Sequence, residues 1–533
     1  MKKIGVVVSI FFATIMLTSL AAGVLLNKTP PISENSEITL TGTPADNYPD
    51  EERPRRCGSS DAKSTDYIQE FSIQTDCTNP LAIVSDPDGN IWFAQSNTGN
   101  LAKFDPNTET FIEYENPSWP AGLQSTIWGI DYAPDGSLWF TDDTNDSIWK
   151  FSTIDEKYTR ISYPSEGNSM PQKLKMNGSL IIVNDFYGNK ITFLDPTQSA
   201  ENVVYLSVPS PLVVNNTAPF TADFTVDKND DVWYTNWLFQ QGGVLVKFNQ
   251  NEYFDSIANS EQAPPLHEFI DFYPFPRELR TPNGIVANND SIWLADTTSS
   301  SLFNFDTVTN QFTQYPISAP LPNTFGNQTG VIKSPVSMPY WLDVDSQERI
   351  IFNTYAANNI SVLDPKSQSL IEYHVPSKNP YWTDCDSGTG TMIDDCGIAQ
   401  ILDFTVDDEK IWFTEMAENN IGVVDTLVPL PLEIQFNSNL VTMAPGNSQN
   451  FEFVIASKSS QDLMDVSLIL SSASFLNIDV TSPQTFQLDA DAPRLISATI
   501  SASDDAMPGT YKVLFGAQLP DVAVSKYVTV TIE

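Results

Sequence analysis

The sequence predicts an all-β protein made of a seven-bladed β-propeller followed by a C-terminal β-sandwich. Proline (37 residues) outnumbers glycine (24), and aromatic residues make up 11% of the 533-residue chain, which favours short strands joined by tight turns. One sequence pattern recurs seven times between residues 79 and 427. Residues 429–533 lack this pattern but keep short alternating apolar stretches. A strand repeat of this kind is typical of a propeller, in which each unit buries its apolar face against the next.

Each repeat holds an apolar segment, an Asp- and Gly-rich turn, an apolar run that usually contains Trp, and a further apolar run. The first unit reads LAIVSDPDGNIWFAQSNTGNLAKFDPNTETFIEYENP. Seven such units of four short strands predict seven blades over residues 66–428. The run that contains Trp is centred, in the seven units, on Trp92, Trp139, Ile181, Trp233, Trp293, Ile351 and Trp412.

The seventh unit lacks its outer strand, because ILDFTVDDEKIWFTEMAENNIGVVD stops after its third apolar run. A matching strand, DYIQEFSI at residues 66–73, stands alone before the first unit. Each unit buries its apolar face only by stacking on a neighbour, so the ring must close. We therefore expect residues 66–73 to complete the seventh blade.

Residues 429–533 are predicted to form an immunoglobulin-like β-sandwich. Strands such as SQNFEFVIAS and TYKVLFGA alternate in polarity and are separated by Pro-containing turns. The turns Ala444-Pro445-Gly446 and Met507-Pro508-Gly509 resemble those of immunoglobulin-like domains appended to exported bacterial and archaeal proteins. We expect this part to act as a spacer or as a contact module at the cell surface.

The N-terminus predicts export. Lys2 and Lys3 precede an uncharged stretch from Ile4 to Leu26, so residues 1–26 are predicted to be a signal peptide or a transmembrane anchor. The stretch is long enough to span a membrane, which takes about 20 residues, although the small residues 21–23 permit cleavage. The lysines place the rest of the chain outside the cell, secreted or anchored to the surface. Residues 27–65, rich in Pro, acidic and hydroxyl side chains, are predicted to be a flexible acidic stalk.

The formal net charge of −40 excludes several classes of partner. Nucleic acid and anionic membrane surfaces are repelled, so contact with a membrane is expected only through the N-terminal segment. Cations, small molecules, glycans and proteins remain open as ligands.

Four cysteines in two close pairs predict disulfides between Cys57 and Cys77 and between Cys385 and Cys396. Zinc is the competing interpretation, but the C-x-x-C spacing that it favours is absent. Candidate glycosylation sites of the Asn-x-Ser/Thr type are Asn145, Asn177, Asn215, Asn289, Asn327 and Asn359.

The repeats IWFTEMAENNIG and LWFTDDTNDSIWKF resemble the WFTE-x-x-x-N-x-I-G repeats of streptogramin (virginiamycin B) lyase-like propellers. This resemblance covers most of residues 66–427 and implies the fold. It also implies a lyase that opens a cyclic lactone by elimination, with Mg²⁺ polarising the ester and histidines moving the proton.

This chain differs from that family at the positions expected to hold the histidines. Asn283, Tyr340 and Leu402 stand there, and none of them is a general base near neutral pH. The two histidines, His267 and His374, fall in outer-strand segments. Family lyase chemistry by these groups is therefore not expected. An Asp or Glu base would keep a metal-dependent lyase or hydrolase as an alternative.

The second strand of each blade is expected to place a polar side chain near the central channel. Three of these residues are carboxylates, which suit Ca²⁺ or Mg²⁺, and the predicted metal ligands are Asp142, Asp296 and Glu415. The alternative is a solvated polar lining without a metal. The other four positions are Gln95, Asn184, Asn236 and Thr354.

Aromatic residues that do not follow the repeat predict a binding surface on one face of the ring, exposed in its loops. The alternative is ordinary loop packing. The predicted ligand-binding residues are Trp128, Trp237, Asn283, Tyr340 and Trp341. The sequence thus favours an exported protein that binds a ligand or a partner. A metal-dependent lyase or hydrolase and a structural component of the cell envelope are the alternatives.

Overall fold

The computed structural model describes residues 48–59, 61–119, 125–165, 169–196, 205–211, 219–239, 241–259, 264–321, 324, 326, 336–386 and 392–533. The predicted signal peptide or anchor, residues 1–26, lies outside this set. Among the residues described, no helix has the length and apolar character needed to cross a membrane.

Seven antiparallel units of four strands form the blades of a propeller, as the repeat predicts. Six of them are separate sheets, and the sixth belongs to a larger sheet that continues into the C-terminal strands. Strand β1 (Ile68–Ser72) precedes the first blade. Blade 1 consists of β2 (Pro80–Ser85), β3 (Ile91–Gln95), β4 (Asn100–Asp105) and β5 (Thr110–Tyr114). Blade 2 consists of β6 (Ile130–Tyr132), β7 (Ser137–Asp142), β8 (Ser147–Ser152) and β9 (Lys157–Ser162). Blade 3 consists of β10 (Pro171–Asn177), β11 (Leu180–Asp185), β12 (Lys190–Leu194) and β13 (Tyr205–Pro209).

The next three blades follow the same order, with each strand paired to its neighbour in sequence. Blade 4 consists of β14 (Phe220–Val226), β15 (Val232–Leu238), β16 (Gly242–Phe248) and β17 (Ile270–Pro274). Blade 5 consists of β18 (Pro282–Asn288), β19 (Ser291–Asp296), β20 (Ser301–Asp306) and β21 (Gln311–Pro316). Blade 6 consists of β22 (Pro339–Val344), β23 (Ile350–Thr354), β24 (Asn359–Asp364) and β25 (Ser369–His374).

The seventh blade draws its strands from both ends of the propeller sequence. β26 (Phe404–Asp407), β27 (Lys410–Glu415) and β28 (Asn420–Asp425) form three strands of its sheet. β1 is the outer strand and pairs antiparallel with β28, with Ile68 opposite Val424. This is the place expected for the isolated strand at residues 66–73.

The recurring Asp and Trp of each unit have a local structural cause. The Asp86 carboxylate accepts hydrogen bonds from the backbone N–H groups of Asp88 (3.0 Å) and Asn90 (2.9 Å), which closes the turn between β2 and β3. Its other oxygen accepts a 2.9 Å bond from Trp92 Nε1. Blade 4 repeats the arrangement, since Trp233 Nε1 donates to Asp227 at 2.9 Å. The motif thus fixes the turn and orients the indole for packing between blades.

The N-terminal strap, residues 48–59, lies against the closure of the ring. It contains the short helix α1 (Arg53–Cys57), and Cys57 forms a disulfide with Cys77. Trp382 Nε1 donates to the Arg55 carbonyl at 3.2 Å. The predicted C-terminal boundary of the flexible stalk, residue 65, is therefore too late, because residues 48–59 already form a helix, a disulfide and a hydrogen bond to the propeller. The second predicted disulfide, between Cys385 and Cys396, is also present.

The other helical elements among the described residues are short. α2 (Gln250–Ala258) lies between β16 and β17, and single 3₁₀ turns occupy Leu266–Phe269 and Pro380–Trp382.

The C-terminal strands form two sheets that pack on one apolar core. The strands are β29 (Leu432–Phe436), β30 (Leu440–Met443), β31 (Ser448–Ser457), β32 (Leu463–Ser472), β33 (Leu476–Val480), β34 (Thr485–Leu488), β35 (Arg494–Ala502), β36 (Gly509–Gln518) and β37 (Val522–Ile532). The first sheet has the order β29-β31-β35-β33, and the second contains β37, β36, β32 and β34, with β30 beside β37. Their side chains meet in a cluster that includes Phe453, Val466 and Phe515. The immunoglobulin-like type of this sandwich stays a prediction.

The sixth blade and the sandwich share a continuous sheet. β25, the outer strand of that blade, pairs antiparallel with β37, from Ser369 opposite Lys526 to Tyr373 opposite Val522. The Tyr527 hydroxyl also donates to the Pro316 carbonyl at 3.0 Å. The sandwich thereby covers a blade edge that would otherwise expose unpaired backbone groups.

One predicted glycosylation site is wrong. Asn359 is 2% exposed, and its amide lies 2.7 Å from Nδ1 of His374, so the folded chain does not present it to solvent. Asn289 is exposed, and Asn145 and Asn177 are half-buried. Asn215 and Asn327 lie outside the described residues.

Glu372 is a buried carboxyl on β25 at the junction with the sandwich. The Ser318 hydroxyl donates to its Oε1 at 2.7 Å, and its Oε2 has no partner among the described residues. Burial raises the pKa of Glu372 to about 7. The folded state therefore holds this group as the neutral acid at pH values where the unfolded chain ionises it.

Replacing Glu372 with Gln is expected to stabilise the protein by about 1–3 kcal/mol at pH 8. The free energy of unfolding of the wild type falls as pH rises from ~4.3, the unfolded pKa, to about 7, and the loss persists above that. Gln stays neutral and removes the loss. Urea unfolding should show a smaller gain for E372Q at pH 5 than at pH 8.

His374 lies on the same strand and titrates in the opposite direction. Burial, together with the positive charge of Lys378, lowers the pKa of His374 to about 4. The free energy of unfolding therefore also falls as pH drops from ~6.5, the unfolded pKa of His, towards about 4. His374 is present in both E372Q and the wild type, so its effect cancels when their free energies of unfolding are compared at the same pH. The exposed Glu268→Gln is the control, and an equal gain in both variants would contradict the buried state of Glu372.

Candidate functional site

The first strand of each blade lines the central channel. First strands of neighbouring blades contact one another around the ring, and five of them carry a β-bulge near their start. A bulge adds a residue and redirects the adjacent side chains. We call the face on which these bulges lie the bulge face. The bulge residues are Leu81-Ala82, Gln172-Lys173, Ala222-Asp223, Asn283 and Tyr340-Trp341.

Side-chain contacts cross the channel at the level of the bulges. Lys173 Nζ, from blade 3, donates to Asp403 Oδ1 at 2.8 Å, just before the first strand of blade 7. The same ammonium lies 4.5 Å from the ring centroid of Trp341 in blade 6. Trp128 and Tyr340, from blades 2 and 6, have centroids 6.5 Å apart. An ion pair, a cation–π contact and an aromatic pair therefore bridge the channel.

Carboxylates near the channel also connect neighbouring blades. Each of three aspartates accepts a hydrogen bond from a backbone N–H of the next blade. The Asp403 bond connects blade 7 to blade 1 and so belongs to the ring closure. The pairs are Asp131 with Met176 (2.7 Å), Asp223 with Ile285 (3.4 Å) and Asp403 with Ile83 (3.1 Å).

Two lysines of blade 3 oppose this negative charge. Burial raises the pKa of Asp223 to about 6, although Lys173 and Lys175 act in the opposite direction. The pKa of Lys175 is raised, chiefly by Asp343. Opposite charges from several blades thus stabilise each other inside the ring.

The three predicted metal ligands lie in separate blades and are not brought together. Asp142 accepts bonds from Asn145 Nδ2 (3.0 Å) and Trp149 Nε1 (3.0 Å) within blade 2. Asp296 accepts from the Thr281 N–H at 2.8 Å. Glu415 interacts with Glu70 on β1, the outer strand of blade 7. Within the described chain, no three His, Cys, Asp or Glu side chains form a group suited to a metal.

All five predicted ligand-binding residues are buried, between 2% and 4% exposed. The expected exposure is therefore wrong. The bulges and blade interfaces enclose these side chains: Trp237 Nε1 donates to the Pro282 carbonyl at 3.0 Å, and Asn283 Nδ2 donates to Thr297 at 2.7 Å. Whether any of them contacts a ligand stays a prediction.

A different set of apolar side chains reaches the bulge face between blades 3 and 5, and we call it the aromatic face. Two of its members, Phe186 and Trp237, are buried and support the others. The five half-buried members are Met170, Tyr187, Phe220, Phe239 and Phe275. Sequence reasoning missed most of them. The signal was Phe186-Tyr187 in the turn after β11, where blades 1, 2 and 5 carry polar residues.

Unpaired polar atoms lie in two of the bulges and in the segment before blade 7. Gln172 Nε2 and Trp341 Nε1 are buried donors, and Gln400 Oε1 is a buried acceptor, without a partner among the described residues. Gln400 Nε2 is held by the Tyr355 hydroxyl at 3.1 Å. Buried polar groups normally find a partner, so these three atoms are exceptions among the buried polar groups near the channel.

The two histidines lie away from the channel. His267 is exposed in the 3₁₀ turn at Leu266–Phe269, and His374 ends β25 beside the sandwich. Neither reaches the positions of Asn283, Tyr340 and Leu402.

Comparison with solved structures found propellers of low sequence identity. A streptogramin B lyase is 18% identical, covering 67% of this chain and 96% of its own, with a TM-score of 0.48. The selenomethionine-substituted virginiamycin B lyase from Staphylococcus aureus is 17% identical, covering 68% and 99%, with a TM-score of 0.49. The WD40 repeats of RRP9 are 9% identical, covering 68% and 99%, with a TM-score of 0.44. No family model and no curated protein matches the chain.

Proposed function

We propose that this protein is an extracellular binding protein that takes up a neutral glycan on its bulge face. The observation that carries the proposal is the aromatic face, in which the half-buried rings Tyr187, Phe220, Phe239 and Phe275 lie in one cluster on the bulge face. Aromatic rings offer a flat apolar surface to the C–H face of a sugar, and amides hydrogen-bond to its hydroxyl groups.

The chemistry of the channel favours binding over family-type lyase activity. Asn283, Tyr340 and Leu402 are buried residues without a base of suitable pKa. Lys173 and Trp341 fill the channel at the level of the bulges, where their contacts hold blades 3, 6 and 7. The same contacts make the floor of the face rigid, and a rigid floor lowers the entropic cost of binding.

Export is part of the same proposal. The two disulfides favour an oxidising compartment. The lysine-flanked apolar N-terminus supports secretion or surface anchoring.

Tyr187→Ala is expected to weaken glycan binding at least about tenfold, because Tyr187 is a half-buried ring of the aromatic face. An array of neutral oligosaccharides would identify a probe, and calorimetry with that probe would give the affinities of variant and wild type.

Phe272→Ala provides the matched control. Phe272 is 58% exposed on β17, the outer strand of blade 4. It should keep wild-type affinity. No binding to any glycan on the array, or an equal loss in both variants, would contradict a glycan site on this face.

A further inference from the structure

Three carboxylates lie together where the two ends of the propeller meet. Glu70 on β1, Glu415 at the end of β27 and Glu418 in the next turn are 4%, 0% and 5% exposed. Burial, the negative charge of Glu70 and a hydrogen bond with the Glu70 carboxyl raise the pKa of Glu415 well above its usual range. Burial, with the charge of Glu70, raises the pKa of Glu418 to about 7. The N-terminal strap covers this group, since the Ser59 N–H donates to Glu418 at 3.4 Å.

The donors around these carboxylates are unevenly distributed. Glu70 accepts bonds from the Ser377 N–H (3.0 Å), the Ser377 hydroxyl (2.6 Å) and the Lys63 N–H (2.7 Å). Glu415 accepts one bond, from Asn420 Nδ2 to its Oε2 at 3.2 Å. Apart from the contact of Glu415 with the Glu70 carboxyl, its Oε1 has no partner among the described residues.

Asn420 supplies a second, independent acceptor without a partner. It lies opposite Glu415 in the pairing of β27 with β28 and is 0% exposed. Its Nδ2 contacts the Glu415 carboxylate, and no donor in the described chain reaches its Oδ1. A buried carbonyl oxygen without a hydrogen bond costs free energy unless a donor or a cation contacts it.

The negative charge of these buried side chains has to be neutralised. Lys63 attracts Glu418, but its ammonium donates at 3.4 Å to the Pro376 carbonyl on the surface. The raised pKa values of Glu415 and Glu418 mean that protons neutralise these two groups when no cation is bound, and a divalent cation would take the place of the protons. Carboxylate and amide oxygens together are the donor set of hard divalent cations.

We propose that Glu415 Oε1, Asn420 Oδ1 and the Glu70 carboxylate bind a divalent cation, Ca²⁺, at the closure of the ring. Two carboxylates balance its charge, and water completes the coordination. The site differs from the predicted combination of Glu415 with Asp142 and Asp296. It ties β1 to β27 and β28, so its function is to hold the propeller closed. This site is independent of the proposed glycan site.

Thermal unfolding of the purified protein, first stripped with EDTA, tests the proposal at pH 7.5. We expect millimolar CaCl₂ to raise the Tm by a few degrees, because a ligand that binds only the folded state stabilises it. Calorimetry with CaCl₂ alone should give heat for one site. NaCl of matched ionic strength is the reference, since a chain of net charge −40 is also stabilised by screening.

Glu415→Gln should abolish the specific Ca²⁺ response, because it removes one charge and keeps the shape. Asp142→Asn is the control. Asp142 is a buried carboxylate at the corresponding position of blade 2, and both of its oxygens have donors. This variant should retain the full response.

A proton shared between Glu70 and Glu415 is the outcome that would overturn the proposal. Ca²⁺ would then leave the Tm unchanged at pH 7.5, and acidification to pH 5 would raise it. E415Q, with a neutral amide beside Glu70, would be more stable than the wild type at pH 7.5. If E415Q does not fold, the wild-type calorimetry decides, and absence of heat overturns the proposal.

Discussion

Lys173→Met is expected to lower the free energy of unfolding by about 3–5 kcal/mol, among the largest effects of any substitution of the channel. Lys173 donates to Asp403 at 2.8 Å, and the Asp403 side chain is 4% exposed. Methionine fills similar volume but leaves this carboxylate without its counter-charge. Urea unfolding at pH 7.5 measures the loss.

The pH dependence of the same variant distinguishes lost charge from lost packing. Burial already raises the pKa of Asp403, and removal of Lys173 should raise it further. The neutral acid then costs less to bury, so the variant should be less destabilised at pH 5 than at pH 8. K173M/D403N should recover part of the stability. A loss that is equal at both pH values and in the double variant would point to packing alone.

Trp128→Ala is expected to destabilise the protein by about 3–5 kcal/mol. Trp128 is 2% exposed and packs in the cluster that contains Tyr340 and Leu402. Its Nε1 also donates to the Asp143 carboxylate at 3.1 Å, a bond that the variant loses. Thermal and urea unfolding should both show the loss.

The exposed Tyr381→Ala serves as the control and should change stability by less than about 0.5 kcal/mol. An unchanged Tm for Trp128→Ala would show that this ring is a surface residue, which is the role that the sequence suggested.

The number of blades was predictable because the pattern has a local cause. Asp86 with Trp92 and Asp227 with Trp233 form the same turn, so both residues recur with the blade period. The isolated strand at residues 66–73 could be assigned because one unit lacked a strand that matched it. Both inferences depend on the repeat, because it shows which strands each unit should contain.

Blade 3 shows where such a pattern fails. It lacks the Trp, and the pairing of Lys175 with Ile182 matches that of Val84 with Trp92 in blade 1. The centre expected at Ile181 is therefore one residue too early. A shift of one residue reverses the face of every side chain, so the polar residue expected at position 184 lies instead at 185.

The candidate sites were less predictable, because they depend on contacts between distant residues. Trp128 and Tyr340 precede apolar runs and resemble loop aromatics, yet a β-bulge or its equivalent directs them into the channel. Glu70 and Glu415 belong to opposite ends of the propeller sequence. The pairing of β25 with β37 could not be predicted from the sequence of β25 either. An outer strand shows the same alternation of polar and apolar residues whether or not another strand covers its edge.

The position of β1 has a consequence for the order of events during synthesis. β1 is translated before every blade, but Val424, the partner of Ile68, follows only after six blades are complete. For that interval Ile68 has no sheet to bury it, and contacts of such high sequence separation form slowly. The Cys57–Cys77 disulfide spans β1 within a short stretch of chain and can form long before the partner strand arrives. A nascent chain thus carries a preformed loop that waits for the last blade, and premature release leaves both ends of the ring exposed to aggregation.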